Sequence, residues 1–231
     1  MIAKRVSALL PLLGALWLGP AQAAEPATVI PAPAVDAAPT EGMQTVVLAG
    51  GCFWGVQAVF QHTKGVIQAV SGYSGGAKDA ADYQTVSGGR SGHAESVEVK
   101  FDPHQISYGK ILQIYFSVAH DPTQLNRQGP DVGTQYRSEI FYTTPEQQRV
   151  SEAYVEQLNK AGVFKHTIVT QIAPLAGFYP AEAYHQDYAT LHPNQPYIYF
   201  NDLPKVENLK GLFAELYREK PVLVASANAT N

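Results

Sequence analysis

Cysteine is almost absent from this sequence, since Cys52 is the only one among 231 residues. A single thiol excludes a disulfide within the chain, and with it the class of small exported domains that disulfides hold together. An unpaired cysteine in an exported protein indicates either a bond to another molecule or a free reactive thiol. Cys52 is therefore the first candidate for a chemically active residue.

Several other features are missing as well. The longest apolar run is shorter than the ~20 residues that a membrane-spanning helix needs, so we expect no stable membrane insertion. The net charge is −4 without a basic cluster, which argues against a nucleic-acid partner. No phosphate-binding loop or dinucleotide fingerprint occurs. No metal site is expected, because the histidines are scattered and no pair has the spacing of metal ligands. They are His62, His93, His104, His120, His166, His185 and His192.

The N-terminus has the pattern of a secretory signal peptide. Lys4 and Arg5 precede the apolar run Val6–Leu18, and Ala21-Gln22-Ala23 matches a cleavage site. A buried N-terminal helix is the alternative, which Pro11 and Gly14 weaken. A Pro- and Ala-rich stretch without periodicity then predicts an extended linker. The predicted organisation is a signal peptide at 1–23, a linker at 24–42, a catalytic domain at 43–220 and a flexible tail at 221–231. We therefore expect export, most simply to a periplasm.

The periodicity of the domain predicts an α+β fold, with a mixed β-sheet covered by helices. Gly50-Gly51 separates a strand from a helical pattern that begins at Cys52, so the thiol is expected at a helix N-terminus. Ala94–Phe101 alternates as a strand, and His120–Ser138 has the composition of a long functional loop. The other predicted elements are strands at 66–70, 139–142 and 167–172, a helix between Thr144 and Gly162, and helices at 108–118, 181–191 and 205–217.

The surroundings of Cys52 favour a reactive thiol. The thiolate is the nucleophilic form, and the unpaired N–H groups and dipole at a helix N-terminus favour that anion. Phe53 and Trp54 would make an apolar cage suited to a methyl or thioether group. Two plainer interpretations stay open at this point: Cys52 is an inert buried side chain, and Trp54 simply packs in the core.

Five sequence blocks resemble the peptide methionine sulfoxide reductases of type A. They occur in the expected order: GGCFWG from Gly50, SGYSGG from Ser71, the block 82–103, the block 121–142, and FYPAEAYHQDY from Phe178. The resemblance spans most of 45–188. It implies a ferredoxin-like α/β sandwich core and the thiol-dependent reduction of methionine-S-sulfoxide, free or in peptides.

The resemblance also implies roles for eight residues. Those assigned to catalysis are Cys52 as nucleophile, Glu95 as the acid that protonates the sulfoxide oxygen, and Tyr83 and Tyr136 as hydroxyl donors to that oxygen. Those assigned to substrate binding are Phe53 and Trp54 around the methyl group, and Asp131 and His185 on the substrate main chain. The chemistry is consistent with this, because a sulfoxide oxygen leaves only after it takes up a proton, and a buried carboxyl can hold one near neutral pH.

The chain departs from many members of that family near its C-terminus, where Leu203–Asn231 contains no resolving cysteine. Cys52 would end each reaction as sulfenic acid, and an external thiol, from a thioredoxin-like protein or a small molecule, would have to reduce it. No bound cofactor is expected. The expected partners are oxidised proteins or peptides carrying methionine sulfoxide and this thiol reductant, and we expect a monomer.

Two functions of other classes fit the same thiol. A Cys-His hydrolase or acyltransferase would use Cys52 with His93 or His185 as the base, and it would need no reductant. A non-enzymatic redox sensor or peptide-binding module would form intermolecular disulfides through Cys52 without turnover. A burst with activated esters would indicate the hydrolase or acyltransferase, and binding of oxidised peptides without turnover would indicate the sensor or binding module.

Overall fold

The computed structural model describes residues 27–224. Its centre is a six-stranded sheet in the order β7-β6-β1-β3-β2-β8, and two further strands form a separate ribbon, β4-β5. The strands are β1 (Gln44–Gly50), β2 (Val66–Ser74), β3 (Ala94–Phe101), β4 (Arg127–Gln128), β5 (Asp131–Val132), β6 (Ser138–Tyr142), β7 (Gln171–Pro174) and β8 (Phe178–Pro180). The α-helices are α1 (Phe53–Gln61), α2 (Tyr83–Ser87), α3 (Tyr108–Ile114), α4 (Pro145–Ala161), α5 (Tyr188–Leu191) and α6 (Leu203–Leu212).

The sheet is mixed, which confirms the α+β prediction. Neighbouring strands run antiparallel except for β6 and β7, which are parallel. The helix α4 connects these two, as a parallel pair requires a crossover. Thr144 caps α4 by accepting a hydrogen bond from the Gln147 N–H at 3.2 Å, and Gly162 ends it in the left-handed conformation. This helix therefore begins and ends where the sequence predicts.

The β3 strand carries one acidic side chain into the core. Its observed bounds are the predicted ones, and Val97, Val99 and Phe101 are fully buried. Glu95 lies two residues before Val97, so the alternation of a strand directs it to the same buried face. Glu98 belongs to the opposite face. The period-two pattern thus delivers a carboxyl group into the interior next to α1.

Several predicted elements differ from the observed ones. The β2 strand continues to Ser74, beyond the predicted end at residue 70, so four of the six residues of the SGYSGG block lie in buried strand. Residues 181–191 form a 3₁₀ turn and the short α5 in place of one helix, and the predicted strand at 167–172 shifts to β7. The predicted helix at 108–118 changes to π geometry at Tyr115. The sequence pattern predicts an element in each of these segments, but its bounds and helix type depend on tertiary contacts that the pattern does not contain.

The described part of the predicted linker, 27–42, lies against α3 and α4. Ile30 is 5% exposed and belongs to the main core cluster. The Tyr154 hydroxyl donates to the Pro31 carbonyl at 2.7 Å, and Asp36 accepts from the Ser107 hydroxyl at 2.6 Å. The packed unit therefore extends N-terminally beyond Met43, the predicted first residue of the domain, because Ile30 adds apolar surface to the core.

Other parts of the predicted organisation lie outside the described residues, including the signal peptide at 1–23 and the end of the tail. Of the tail, 221–224 is described, and there the Val222 N–H donates to the Gln61 carbonyl at 3.1 Å. Within 27–224 no helix is both long and apolar enough to cross a membrane.

Candidate active site

Cys52 occupies the N-cap position of α1, directly after the glycine pair, as the sequence predicts. Gly51 has a φ of 88°, and a Cβ atom built on it would lie only 2.6 Å from the Cβ of Gln128. Only glycine accepts that backbone and that approach without strain. The side-chain amide of Gln128 is bonded to the backbone of Asp121 on both sides, so the loop is held against the turn. The glycines thereby fix the direction in which Cys52 projects.

The thiol itself is buried, with 8% of Cys52 exposed. Burial, above all, raises the pKa of Cys52 well above its ordinary value, and the negative charges of Asp202 and Glu95 raise it further. The Trp54 N–H opposes this shift by donating to the sulfur. The prediction that the helix N-terminus favours the thiolate is therefore wrong for the free protein, because burial and the acidic neighbours outweigh the hydrogen bond from the first turn of the helix.

Glu95 is the carboxyl group at this site. It is 3% exposed, and Oε2 accepts a hydrogen bond from the Phe53 N–H at 3.1 Å. Burial raises the pKa of Glu95 to about 8; the Phe53 N–H bond lowers it, while the charges of Asp131 and Asp202 add to the rise. Glu95 therefore carries its proton at neutral pH. The structure brings Cys52 and Glu95 together across the first turn of α1.

Aromatic rings form the wall beside the thiol. Phe53 is almost fully buried under Tyr73 and His185, with ring centroids 5.9 Å and 5.1 Å away. Trp54 is partly exposed and stacks on Tyr188 at 4.0 Å with an interplanar angle of 13°. The stacking holds the indole at the edge of the site. Tyr188 is a site residue that the sequence analysis did not single out, although it closes the last of the five blocks.

His185 lies inside this aromatic wall. Its Nδ1 accepts a hydrogen bond from the Trp54 Nε1–H at 3.2 Å, so the proton of the neutral ring is on Nε2. Nε2 is buried and has no partner among the described residues. Burial lowers the pKa of His185, against the charge of Glu182, so the ring is neutral at pH 7. It offers an unused N–H donor to a bound molecule.

A glutamine bridge fixes the segment that carries His185. Gln186 Oε1 accepts from the Gln57 side chain at 2.9 Å and from the Ser71 N–H at 3.0 Å. The Asp187 N–H donates to Gln57 Oε1 at 2.9 Å, which lets Asp187 hold a φ of 59°. The irregular chain around His185 is thereby bound to α1 and β2 through buried polar contacts.

Two tyrosines predicted as hydroxyl donors flank Glu95 and Cys52. Tyr83 begins α2, and its N–H donates to Glu182 at 2.9 Å. Tyr136 ends a 3₁₀ turn, and its pKa is raised by burial and then by the charge of Glu95. Burial also raises the pKa of Tyr83, with Glu95 as the next cause. Both hydroxyls therefore stay protonated and can donate a hydrogen bond.

Asp131 lies on β5, and its charge acts on Glu95. It is half-buried and accepts a short hydrogen bond from the Tyr197 hydroxyl. Burial raises its pKa, while the Tyr197 bond and the charge of Lys205 lower it. Tyr197 also meets Trp54 edge to face at 6.1 Å. The structure thus joins all eight predicted residues in one region and adds Tyr188, Tyr197, Asp202 and Lys205, which no local pattern distinguishes.

The fold and the site together define a thiol-based redox enzyme of the α+β class. The sequence profile described as peptide methionine sulfoxide reductase matches residues 44–216. The chain belongs to the peptide methionine sulfoxide reductase family.

Named relatives agree with this assignment. Peptide methionine sulfoxide reductase MsrA 2 of Mesorhizobium japonicum is 60% identical over 194 residues, which cover 84% of this chain and 100% of the relative. The protein of the same name from Synechocystis is 49% identical over 191 residues, covering 81% of this chain and 89% of the relative. Each of these identities is high enough to show that the chain has the same fold and belongs to the same family.

Two solved structures are similar to this chain. Reduced Mxr1 from Saccharomyces cerevisiae has a TM-score of 0.61 at 32% identity, and the match covers 66% of this chain and 87% of that one. Methionine sulfoxide reductase A of Corynebacterium diphtheriae has a TM-score of 0.58 at 37% identity, with 68% and 78% covered. The mixed sheet with helices is therefore the family fold.

Proposed function

We propose that this protein reduces methionine sulfoxide, free and in peptides, to methionine, with Cys52 as the nucleophile. Family membership supports the reaction. The observation that carries the residue assignment is the pairing of a buried lone thiol with a buried carboxyl, Glu95, that keeps its proton at neutral pH. A nucleophile and a proton donor side by side are what the attack on a sulfoxide requires.

Glu95 and Cys52 together carry out the first step, the transfer of oxygen away from the sulfoxide. Glu95 donates its proton to the sulfoxide oxygen while the sulfur of Cys52 attacks the sulfoxide sulfur. The thiol proton passes to the Glu95 carboxylate, a bond forms between the two sulfurs, and Glu95 gives this proton to the oxygen, which leaves as water. Water then attacks the Cys52 sulfur, the sulfur–sulfur bond breaks, and methionine leaves with the electron pair. Cys52 is left as sulfenic acid, and the proton lost by the attacking water returns to Glu95. Tyr83 and Tyr136 donate hydrogen bonds to the oxygen as its charge grows, in the manner of an oxyanion hole.

The second stage needs a thiol from outside the chain. A reductant thiol attacks the sulfenic acid, water leaves, and a mixed disulfide forms on Cys52. A second thiol releases Cys52 and forms the reductant disulfide. With one cysteine in the sequence, the chain has no thiol of its own for this stage. We propose a thioredoxin-like protein or a small thiol as the partner, and no bound cofactor.

The substrate side of the site is assigned to four residues. Phe53 and Trp54 contact the methyl group of the sulfoxide, and Asp131 and His185 hold the substrate main chain. The free Nε2–H of His185 supports its role, since it can donate to a carbonyl oxygen. With the methyl group against the rings and the oxygen against Glu95, only one sulfoxide epimer fits, and we assign the S epimer.

We further propose that the protein is exported and repairs oxidised proteins outside the cytoplasm, acting as a monomer. The signal-peptide pattern at 1–23 and the Pro- and Ala-rich 24–42 support this location. A fractionation experiment with an antibody to the domain tests it, and a protein that stays in the cytoplasm at full length would contradict it.

A Cys-His hydrolase is disfavoured by the position of its bases. Both ring nitrogens of His93 are engaged by backbone groups, with the Gly76 N–H at 3.2 Å and the Ala77 carbonyl at 2.9 Å. His185 uses Nδ1 for the Trp54 indole. Neither arrangement leaves a basic nitrogen directed by a carboxylate in the way that a catalytic dyad needs.

One experiment separates the three functions. The protein is incubated with a peptide containing methionine sulfoxide and with dithiothreitol, and the products are analysed by mass spectrometry. We expect the loss of one oxygen, and with purified epimers we expect it for the S form. Release of an acyl product from an activated ester without reductant would instead indicate a hydrolase. Binding of the oxidised peptide without any loss of oxygen would indicate a sensor.

A further inference from the structure

A buried acidic group lies beside the site without a role in the reaction. Asp202 ends the π turn Ile198–Asp202, directly before α6, and its exposed fraction is 0%. Neither carboxylate oxygen has a hydrogen-bond partner among residues 27–224. The Nζ of Lys205 lies 3.7 Å from Oδ1, which is an ion pair longer than a hydrogen bond. A buried carboxylate without hydrogen bonds is costly, so its presence requires an explanation.

The position of Asp202 is set by its contact with the first turn of α1. A Cβ atom built on Gly55 would lie 2.2 Å from Oδ1 of Asp202 and 3.1 Å from Nζ of Lys205. Both side chains therefore occupy the space above Gly55, three residues after Cys52. Ile198 and Val206 pack on Ala58 in the same interface, which holds this part of the chain against α1.

Charged and titratable groups face this cluster from every neighbouring element. They are Cys52 and Glu95 across the turn, Asp131 from β5, Tyr197 directly before the π turn, Lys205 from α6, and His120, on which the charge of Lys205 acts. Among the charges that raise the pKa of Cys52, Asp202 acts more strongly than Glu95. The same carboxylate also raises the pKa of Glu95.

We propose that Asp202, with Lys205 as its counter-charge, is a positioning residue that holds protons in place: when charged, it adds to the effect of burial in keeping Cys52 as a thiol and Glu95 as a carboxylic acid in the resting enzyme. This rests on the proposed function for the roles of Cys52 and Glu95. The consequence is protective, because the thiolate is the form that oxidants and alkylating agents attack. The same charge also supports catalysis, because Glu95 must hold a proton to activate the sulfoxide oxygen.

The test is the pH dependence of Cys52 alkylation by iodoacetamide, followed by mass spectrometry, in the wild type and in Asp202→Asn. Burial raises the pKa of Asp202 to about 7, against the charge of Lys205. Above about pH 8, where the wild-type carboxylate is charged, the variant should react roughly threefold faster or more, since alkylation follows the thiolate fraction. Below about pH 6, where Asp202 is neutral like asparagine, the two curves should converge.

Glu98→Gln is the matched control. Glu98 is half-buried, and burial raises its pKa as it does that of Asp202. It lies on the face of β3 opposite to Glu95. Its alkylation profile should equal that of the wild type. Asp202→Asn leaves Lys205 unpaired and could unfold the protein. The double variant Asp202→Asn/Lys205→Met removes both charges, and Cys52 alkylation should again be faster than in the wild type above about pH 8, by a smaller factor.

Three results would overturn the proposal: identical wild-type and variant profiles, a constant offset at every pH, or an equal shift in Glu98→Gln. A constant offset would mean that asparagine changes the packing and not the charge. Alkylation uses no sulfoxide, so it can succeed while the reductase assay fails. The failure of this proposal is therefore distinguishable from the failure of the proposed function.

Discussion

Two regions of the molecule build the site in different ways. The first is the turn from β1 to α1 together with the start of β3, which presents Cys52 and Glu95 from regular elements. The second runs from Glu182 to Leu212 and contains a 3₁₀ turn, two short helical pieces and α6. The first region contributes the reacting groups, and the second covers them with rings, charges and a free N–H. Cys52 and Glu95 thus lie on regular elements, whereas the side chains that surround them come mainly from short, irregular segments.

The difference lies in how far each contact reaches along the sequence. The Phe53 N–H and the Glu95 carboxyl are 42 residues apart, and both positions follow from a local period. Trp54 and His185 are 131 residues apart, and no period connects them. A pattern of two or 3.6 residues predicts the direction of a side chain within its element, but not which distant segment will pack on it.

The largest expected effect concerns the first region. Replacing Cys52 with serine should reduce sulfoxide reduction to the uncatalysed background, because a hydroxyl is a far weaker nucleophile than a thiol near neutral pH. The fold should persist, since serine is close to cysteine in volume. Circular dichroism and thermal melting provide the control. A folded serine variant with measurable turnover would contradict the assignment of Cys52.

The next effect concerns what the second region lacks, namely a cysteine. Without added thiol the protein should form about one methionine per site and then stop, because Cys52 ends as sulfenic acid. Dimedone should then label Cys52, and excess dithiothreitol should restore turnover. Mass spectrometry of the labelled protein makes the measurement. Continued turnover without thiol would show that the recycling step is assigned incorrectly.

Glu95→Gln should lower the rate by about 10²- to 10⁴-fold while substrate still binds, since glutamine does not donate a proton readily. The wild-type rate should fall as the pH rises through about 8, where the Glu95 carboxyl loses its proton. That alkaline loss should vanish in the variant, and some activity should return at low pH if solvent acid enters. Glu98→Gln serves again as the control, and pH profiles of kcat/KM, which report the free enzyme, are the measurement.

The sequence predicts the positions of Cys52 and Glu95 and the protonated state of Glu95 well, but it predicts the ionisation of Cys52 poorly. Cys52 is found at the N-cap of α1 because the glycine pair and the helical period are local, and Glu95 is buried because Val97 and Val99 share its face. The pKa of Cys52 was predicted with the wrong sign. The helix-terminus rule considers α1 alone, whereas the fold buries the thiol and brings first Asp202 and then Glu95 near it, and each of these raises its pKa.

The second region was predicted least well for the same reason. The expected helix at 181–191 is a 3₁₀ turn and the short α5, and α6 spans Leu203–Leu212 in place of 205–217. Its conformation depends on polar contacts such as that of Gln186 with Gln57, which single-sequence patterns do not reveal. Asp202 ends a π turn and Tyr197 directly precedes it, and this geometry has no hydrophobic period of its own.

The smallest expected effect tests whether the second region acts on substrate binding rather than on chemistry. Tyr197→Phe removes the hydroxyl that donates to Asp131 and leaves the ring against Trp54. Because that hydrogen bond lowers the pKa of Asp131, the carboxyl should become easier to protonate and less well oriented. If Asp131 holds the substrate main chain, KM for a sulfoxide peptide should rise about three- to tenfold with kcat nearly unchanged. Tyr199→Phe is the control, because Tyr199 is 58% exposed two residues further on. A fall in kcat with constant KM would place Tyr197 with the reacting groups, and the division of labour between the two regions would then be wrong.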